Sequence, residues 1–431
     1  MSAPLRSPAH ARPSDAYAGY VLFVLFVVYV FNFADRQVLS ILIEPIQAEL
    51  GVSDTRMGLL AGPAFALFYT LLGVPIARWA DTGSRRNVLV FSLSLWSLMT
   101  AASGLARGFA GLAVARVGVG VGEAGGTPPS HSLLSDYFPP ERRATALALY
   151  GNGIYVGSGL GIMAGGLLEQ YFGDWRTAFF AVGLAGLPLS LLVRLTVRDL
   201  PRGSADAAPI AAPAARESFF GVMRFLFARR SFGWLVVGAC LQAMAGYAIL
   251  TWGAVFLARV HGMDRAAIGG LFGPMIIVGG CLGVSLGGWL ADRLGRRDAR
   301  WYMRLPAGLA LVALPFALGF LLAGSTAVAI PLFVVFYTLA NMYVGPLWST
   351  AQNLARPHMR ATASAVLLFI LNLFGLGLGP FLIGLSNDLL TARYGGLAVR
   401  YSLLGVALLS AAACVPFWLA ARTLREDLRA A

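Results

Sequence analysis

Lysine is absent: all 33 basic residues of the chain are arginine, a bias that no physical requirement of a fold accounts for. Charge of either sign is scarce. Only 12% of residues are charged, against roughly 25% in soluble proteins. A soluble fold of this size needs a polar shell, so much of the surface must face something other than water. Cysteine is nearly missing. Cys240, Cys281 and Cys414 each lie in an apolar run, without CxxC spacing or clustered histidines. That argues against a disulfide framework or a zinc site and for small buried residues. A nucleophile–base constellation and a phosphate-binding loop are also missing, and His131 has no partner visible in the sequence. An enzyme is therefore not expected.

What is present is apolar: 58% of the residues, with 51 glycines and 22 prolines. Both are better tolerated in membrane helices than in soluble ones. The first apolar run, from Tyr20, is too long for a cleaved signal and lacks a small-residue cleavage site. A bilayer core of about 30 Å takes ~20 helical residues. On that ruler the spans fall near 19–44, 55–78, 87–106, 109–135, 143–170, 176–197, 232–259, 266–291, 303–323, 327–355, 361–386 and 397–420.

The arginines orient these spans. With the N-terminus inside, the inner segments hold 24 arginines and the outer ones 7. This is the cytoplasmic excess expected of an inner-membrane protein, and it accounts for the net charge of +13 without nucleic acid. Both termini are expected in the cytoplasm. The expected organisation is a tail (1–18), a six-helix bundle (19–198), a cytoplasmic linker (199–230), a second bundle (231–420) and a short tail (421–431). The linker contains the Ala/Pro-rich 202–216, and its basic, aromatic end, 218–230, fits an interfacial helix.

The two halves repeat. Gly58, Gly62, Pro63, Asp81, Arg85 and Arg86 recur 211 residues later as Gly269, Gly273, Pro274, Asp292, Arg296 and Arg297, and the 140–146 loop recurs at 357–363. Parallel six-helix repeats are a known transporter architecture with the substrate site between the halves. The loop Gly288-Trp289-Leu290-Ala291-Asp292-Arg293-Leu294-Gly295-Arg296-Arg297 resembles the loop signature of the major facilitator superfamily in full. The first copy departs at Ala77 and Thr82. In both, the Asp at a helix end can pair with Arg and hold a cytoplasmic gate closed in one state. The gating candidates are Asp81, Arg85, Arg86, Asp292, Arg293, Arg296 and Arg297. The competing reading is a cluster that only sets topology.

Ionisable groups at membrane depth are functional hypotheses by default. Asp35 lies about 13 Å from the outer end of the first span and Arg116 about 10 Å from the outer start of the fourth, so the two can pair. Glu123 is two turns from Arg116 on the same face. A carboxylate whose arginine partner comes and goes changes proton affinity between states. Asp35 is the expected main proton carrier, Arg116 its switching partner and Glu123 a second proton or substrate site. A static ion pair is the alternative. Arg36 points ~100° from Asp35 and can line a cavity or reach outward. Gly120 to Gly125 satisfy GxGxxG, but inside an apolar helix without a preceding strand they fit close helix packing instead. Asn32, Arg36, Tyr247, Trp252, Tyr337, Asn341, Trp348 and Asn372 are substrate-contact candidates. With the charge on one wall and aromatics on the other, the cavity suits an amphiphile with a charged head.

The stretches Asn32-Phe33-Ala34-Asp35-Arg36, Arg116 to Ala124, Val156 to Gly161 and Asp174-Trp175-Arg176 resemble the Spinster family. The resemblance implies an all-α membrane protein of twelve helices in two pseudo-symmetric bundles. It also implies proton-linked movement of a lysolipid or sphingoid phosphate, with the coupling roles on Asp35, Arg116 and Glu123. Expected partners are a small amphiphilic or lipid substrate and the bilayer, in a monomer with no cofactor beyond the coupling proton. The alternatives are a broad-specificity drug or metabolite exporter and, in another class, a non-transporting receptor or scaffold, against which the buried charges argue.

Overall fold

The computed structural model describes residues 14–205, 219–356 and 359–429, and among them every regular element is a helix. The first two residues of the second loop copy, 357–358, and most of the Ala/Pro-rich linker, within 206–218, lie outside the described residues.

In the first half the helices are α1 (Asp15–Ile41), α2 (Ile43–Leu50), α3 (Asp54–Ala61), α4 (Pro63–Thr82), α5 (Arg85–Ser103), α6 (Phe109–Glu123), α7 (Thr127–Tyr137), α8 (Pro140–Gly151), α9 (Gly153–Phe172) and α10 (Trp175–Thr196). In the second they are α11 (Phe219–Phe227), α12 (Arg230–His261), α13 (Arg265–Gly295), α14 (Trp301–Leu322), α15 (Thr326–Asn341), α16 (Val344–Asn353), α17 (Arg360–Ile370), α18 (Gly377–Tyr394), α19 (Ala398–Ala412) and α20 (Cys414–Arg429). A π-helical turn, Leu371–Leu376, joins α17 to α18. Among the described residues, eight helical stretches are long and apolar enough to cross a membrane.

Local chemistry sets the ends. Side chains of Ser14, Ser53, Ser84, Asp174 and Asp264 accept backbone hydrogen bonds at the starts of α1, α3, α5, α10 and α13. Gly51, Gly173 and Gly262 close α2, α9 and α12 at φ of 61°, 67° and 63°, where a side chain would be strained.

Tyr17 donates to the Thr196 carbonyl at 2.6 Å, and Arg142 pairs with Asp15 at 3.1 Å. These contacts place the start of the chain, the α7–α8 turn and the end of α10 together, at what is called here the terminal end. After α10, Asp199 and Leu200 stay on the first half, as acceptors for Arg85. Helix α11 packs instead on α12 and α17.

The apolar core has an informative shape. At the end opposite the termini, the far end, one cluster spans both halves and joins Ile41, Ile46, Met57 and Leu60 to Ile249, Phe256, Ile268 and Phe272. Toward the terminal end the packing splits in two. One cluster is built on Val21, Leu93, Trp96 and Tyr150 of the first half, the other on Leu235, Leu354, Leu367 and Phe417 of the second. The halves are thus fused at the far end and parted at the terminal end.

Glycines allow the fusion. A Cβ at Gly62 would overlap the Gly377 carbonyl oxygen, and a Cβ at Gly159 would overlap that of Gly273. Gly62 and Gly273 are repeat-related positions. Each lets its helix lie backbone to backbone against the opposite half.

Candidate functional site

The charged cluster sits at mid-depth, where α1, α4 and α6 meet. The Arg36 Nε donates to Glu123 Oε2 at 2.6 Å and its Nη2 to Asn32 Oδ1 at 3.2 Å. The guanidinium lies 4.6, 4.7 and 4.9 Å from the ring centroids of Phe33, Phe65 and Tyr69. This aromatic cage favours a cation where little water reaches. Arg36 is 7% exposed and Glu123 not at all.

The expected Asp35–Arg116 pair is not formed. The ~100° step between adjacent helical residues turns Arg36, not Asp35, toward the carboxylate on α6. Asp35 is 1% exposed and neither carboxylate oxygen has a hydrogen-bond partner. Its neighbouring polar side chain is Thr100 on α5, whose hydroxyl is also unpartnered. Arg116, 2% exposed, leaves Nε and Nη1 unpartnered and lies 5.5 Å over the Phe65 ring. Four ionisable side chains therefore share one buried site and only two of them are paired.

The second half contributes unevenly. Tyr247 packs against the first-half cluster, close to Arg36. Asn341 donates to the Tyr337 carbonyl at 2.8 Å and accepts from Tyr155 of α9 at 3.1 Å, a bridge between the halves. Tyr337 and Asn341 line a small cavity with Gln242, Tyr343 and Ser410. Trp252 is fully buried and donates to the Pro380 carbonyl at 2.9 Å. That is the position of a packing residue, against the expectation of substrate contact. Trp348 packs in the second-half terminal cluster, and Asn372 lies buried on the π-helical turn, so neither joins the charged cluster. Sequence reasoning missed Tyr69, Phe65, Thr100 and Tyr155. It also missed the stack of Tyr29 on Tyr150 at 4.3 Å, with His131 at the edge of Tyr150.

Among the described residues, the terminal-end gate residues make no hydrogen bond or ion pair across the halves. Arg85 is 2% exposed and bound within its own half, to Asp136, to Asp199 at 3.0 Å and to Ser132 at 3.1 Å. Arg86 reaches the Val197 carbonyl at 3.3 Å. Burial opposes ionisation of Asp199, but hydrogen bonds from Ser84 and Arg85 outweigh it and hold the carboxyl below its ordinary range. Asp81 is exposed, without an ion-pair partner among the described residues. Asp292 accepts from Tyr302 at 2.8 Å, Arg293 lies 5.5 Å over Trp289, and Arg296 and Arg297 are exposed.

The far end holds a charge network that sequence reasoning did not single out. Arg259 of α12 donates to both carboxylate oxygens of Asp54 at 2.7 and 2.9 Å, to Glu44 at 3.0 Å and to Gln47 at 2.9 Å. Asp54 also accepts from Gln47 and from Asn387 of α18. In return, Asp388 accepts the Asp54 and Thr55 amides at 3.1 and 2.9 Å, so the second half supplies an anion to the N-terminus of α3. Arg265 pairs with Glu169 at 2.9 Å beside it. Among the described residues, the hydrogen bonds and ion pairs between halves lie at this end or at mid-depth.

Two parted bundles, a sealed far end and charge buried at mid-depth in the first bundle fit a membrane transporter rather than an enzyme. The chain belongs to the Major Facilitator Superfamily, whose sequence profile matches residues 25–380. Within it the chain is Spinster-like. Human protein spinster homolog 1 is 28% identical over 88% of this chain and 75% of the human protein. A bacterial homolog to the human lysosomal transporter Spinster, solved in an inward-facing and unoccupied conformation, superposes with a TM-score of 0.87. It is 31% identical, over 96% of this chain and 99% of that one. An MFS-type efflux pump of Mycolicibacterium smegmatis is 36% identical over 94% of this chain and 93% of its own.

Proposed function

We propose that the protein is a proton-coupled secondary active transporter that moves an amphiphilic, lysolipid-like molecule by alternating access. The observation that carries this reading is Asp35, a carboxyl at membrane depth with no paired oxygen, next in sequence to the Arg36–Glu123 pair. An unpaired buried carboxyl binds a proton readily, and moving a guanidinium toward it releases that proton. Arg116, underpartnered in the same site, is the cation free to make that move. The caged Arg36 suits the anionic head of a substrate, which would compete with Glu123. Tyr247, Tyr337 and Asn341 are the proposed contacts on the opposite wall.

In this reading the chain crosses a bacterial inner membrane twelve times as a monomer, with both termini cytoplasmic. Helix α5, the α6–α7 and α8–α9 pairs and the two crossings within 362–429 complete the set. The far end then faces outward, and the parted terminal end makes this an inward-facing state. Closing the terminal end would bring Asp81 and Asp292 to arginines of the repeated loops.

A second reading, an exporter of drugs or metabolites, has the name of the mycobacterial relative in its favour. Proteoliposome uptake under an imposed pH gradient separates the two. A lysophospholipid, a sugar phosphate and a cationic dye are compared in wild type and Asp35→Asn. Gradient-driven lysophospholipid uptake that is lost in Asp35→Asn is the expected result. Unchanged rate and pH dependence in Asp35→Asn would sink the coupling role, and preferential dye movement would favour the exporter.

A further inference from the structure

We propose that the groove between α14 and α20 at the terminal end is a site for an anionic phospholipid of the surrounding bilayer. The groove encloses about 580 Å³ on the outer surface of the second half, apart from the charged cluster. That volume is within the range of ligand-binding clefts.

Its lining is graded along the helix axes. Arg304 and Arg422 lie at the mouth, with Trp301 and Trp418 beside them, and Gly308, Leu311 and Val415 lie deeper. From Trp301 to Leu311 is ten residues, or ~15 Å of helix. That is about half a bilayer's hydrocarbon thickness, so the groove runs the depth of one leaflet. Indole rings favour the headgroup boundary, which puts the two guanidiniums at phosphate level and the apolar floor at acyl-chain level.

The charge at the mouth is only partly neutralised from within. Among the described residues no acidic side chain lines the groove. Arg304 Nη1 makes one long ion pair, 3.7 Å to Asp298 Oδ2, while Asp298 Oδ1 accepts from Arg425 and the Arg300 amide at 3.0 and 2.9 Å. The Arg304 guanidinium also lies close to two indoles, 6.0 Å from the Trp301 ring and 5.8 Å from the Trp418 ring. Arg422 is exposed and has no ion pair among the described residues. Two arginines over an apolar slot one leaflet deep match a lipid phosphate with its chain, the chemistry of basic pockets between membrane helices. Gly308 keeps the slot open, since a Cβ there meets nothing within 4 Å.

Native mass spectrometry of the detergent-solubilised full chain tests this, with phosphatidylglycerol titrated against phosphatidylcholine of the same chains. Wild type should retain phosphatidylglycerol more tightly. The double variant Arg304→Gln/Arg422→Gln should weaken it roughly thirty-fold, the contribution of two basic groups to anionic-lipid binding. Gly308→Leu keeps every charge and fills the slot, and it should lower retention of phosphatidylglycerol as well. Arg393→Gln/Arg400→Gln, at the far end, should change nothing. The proposal is overturned if the Arg304/Arg422 variant binds phosphatidylglycerol as wild type does, or if the far-end control loses as much. It is equally overturned if glycerol phosphate without acyl chains competes as well as the lipid.

Discussion

Replacing Arg259 by Gln should loosen the far end, and the size of the effect follows from what Arg259 touches. Its guanidinium makes four hydrogen bonds, all to α2 and α3 of the opposite half. Any energy lost is therefore lost by the closed far end alone. Removing one partner of a fully buried ion pair costs about 3–5 kcal/mol, while an exposed pair contributes about 0–1 kcal/mol. Asp54 is 5% exposed and Arg259 22%, and Asp54 would keep donors from Gln47 and Asn387. About 2 kcal/mol is a balanced value, or ~30-fold in the closed-to-open ratio. A far end closed ~99% of the time would fall to ~77%. Spin labels at L105C and S325C, exposed far-end positions on opposite halves, read this directly once Cys240, Cys281 and Cys414 are replaced. Pulsed distance measurements should show a longer population growing in Arg259→Gln and in Asp54→Asn. Arg265→Gln, whose pair with Glu169 is more exposed, should shift the ratio no more than about fivefold. If both Arg259→Gln and Asp54→Asn keep the wild-type distance distribution, the network does not hold the far end shut and the reasoning fails.

Three further outcomes follow from the same geometry. Arg36→Gln strands the fully buried Glu123 and should cost about 3–5 kcal/mol in unfolding free energy, whereas Arg36→Met/Glu123→Gln should recover most of it, as read by thermal melts in detergent. Gly62→Ala forces a methyl onto the Gly377 carbonyl and should cost about 1–3 kcal/mol in unfolding free energy, read by the same melts, and should change the distance within each spin-label population while leaving the ratio of the populations as in wild type. Because Asp199 titrates below its ordinary range, its stabilising contribution is complete above the unfolded carboxylate pKa and is lost as pH falls through the lower folded value, over the region below about pH 5. Asp199→Asn should therefore lower the melting temperature at pH 7 and reduce its fall on acidification.

The pattern of legibility has a physical cause. Helix positions were readable because the bilayer imposes a length of apolar chain, and Asp35, Arg36, Arg116 and Glu123 were readable because charge in such a run is conspicuous. Which of them pair was not readable. Two adjacent residues on one helix differ in neither depth nor chemistry enough to say whether Asp35 or Arg36 meets Glu123, and the ~100° between them decides it. The cage of Phe33, Phe65 and Tyr69 was hidden for a related reason: aromatics in an apolar helix look alike until the rotation of α4 against α1 is known. The far-end network was the larger omission. In the sequence Arg259 and Arg265 stand only among the seven outer arginines that mark sidedness, because their partners lie up to 215 residues away.

The repeat carried a signal whose meaning emerged only in three dimensions. Gly62 and Gly273 stood out as a matched pair without any stated role beside the arginine loops. Each abuts a backbone of the other half, Gly377 for one and Gly159 for the other. A contact of this kind is nearly symmetric about the axis relating the halves, so it acts as a pivot that neither state need abandon. The charges are not symmetric. Arg259 closes the far end in this structure, and the repeated Asp and Arg loops lie disengaged at the terminal end. A glycine pivot with different ionic latches at its two ends separates the motion from its bias. Substitutions at Gly62 or Gly159 should therefore alter how far the halves move, while those at Arg259 or the terminal loops should alter which state is favoured.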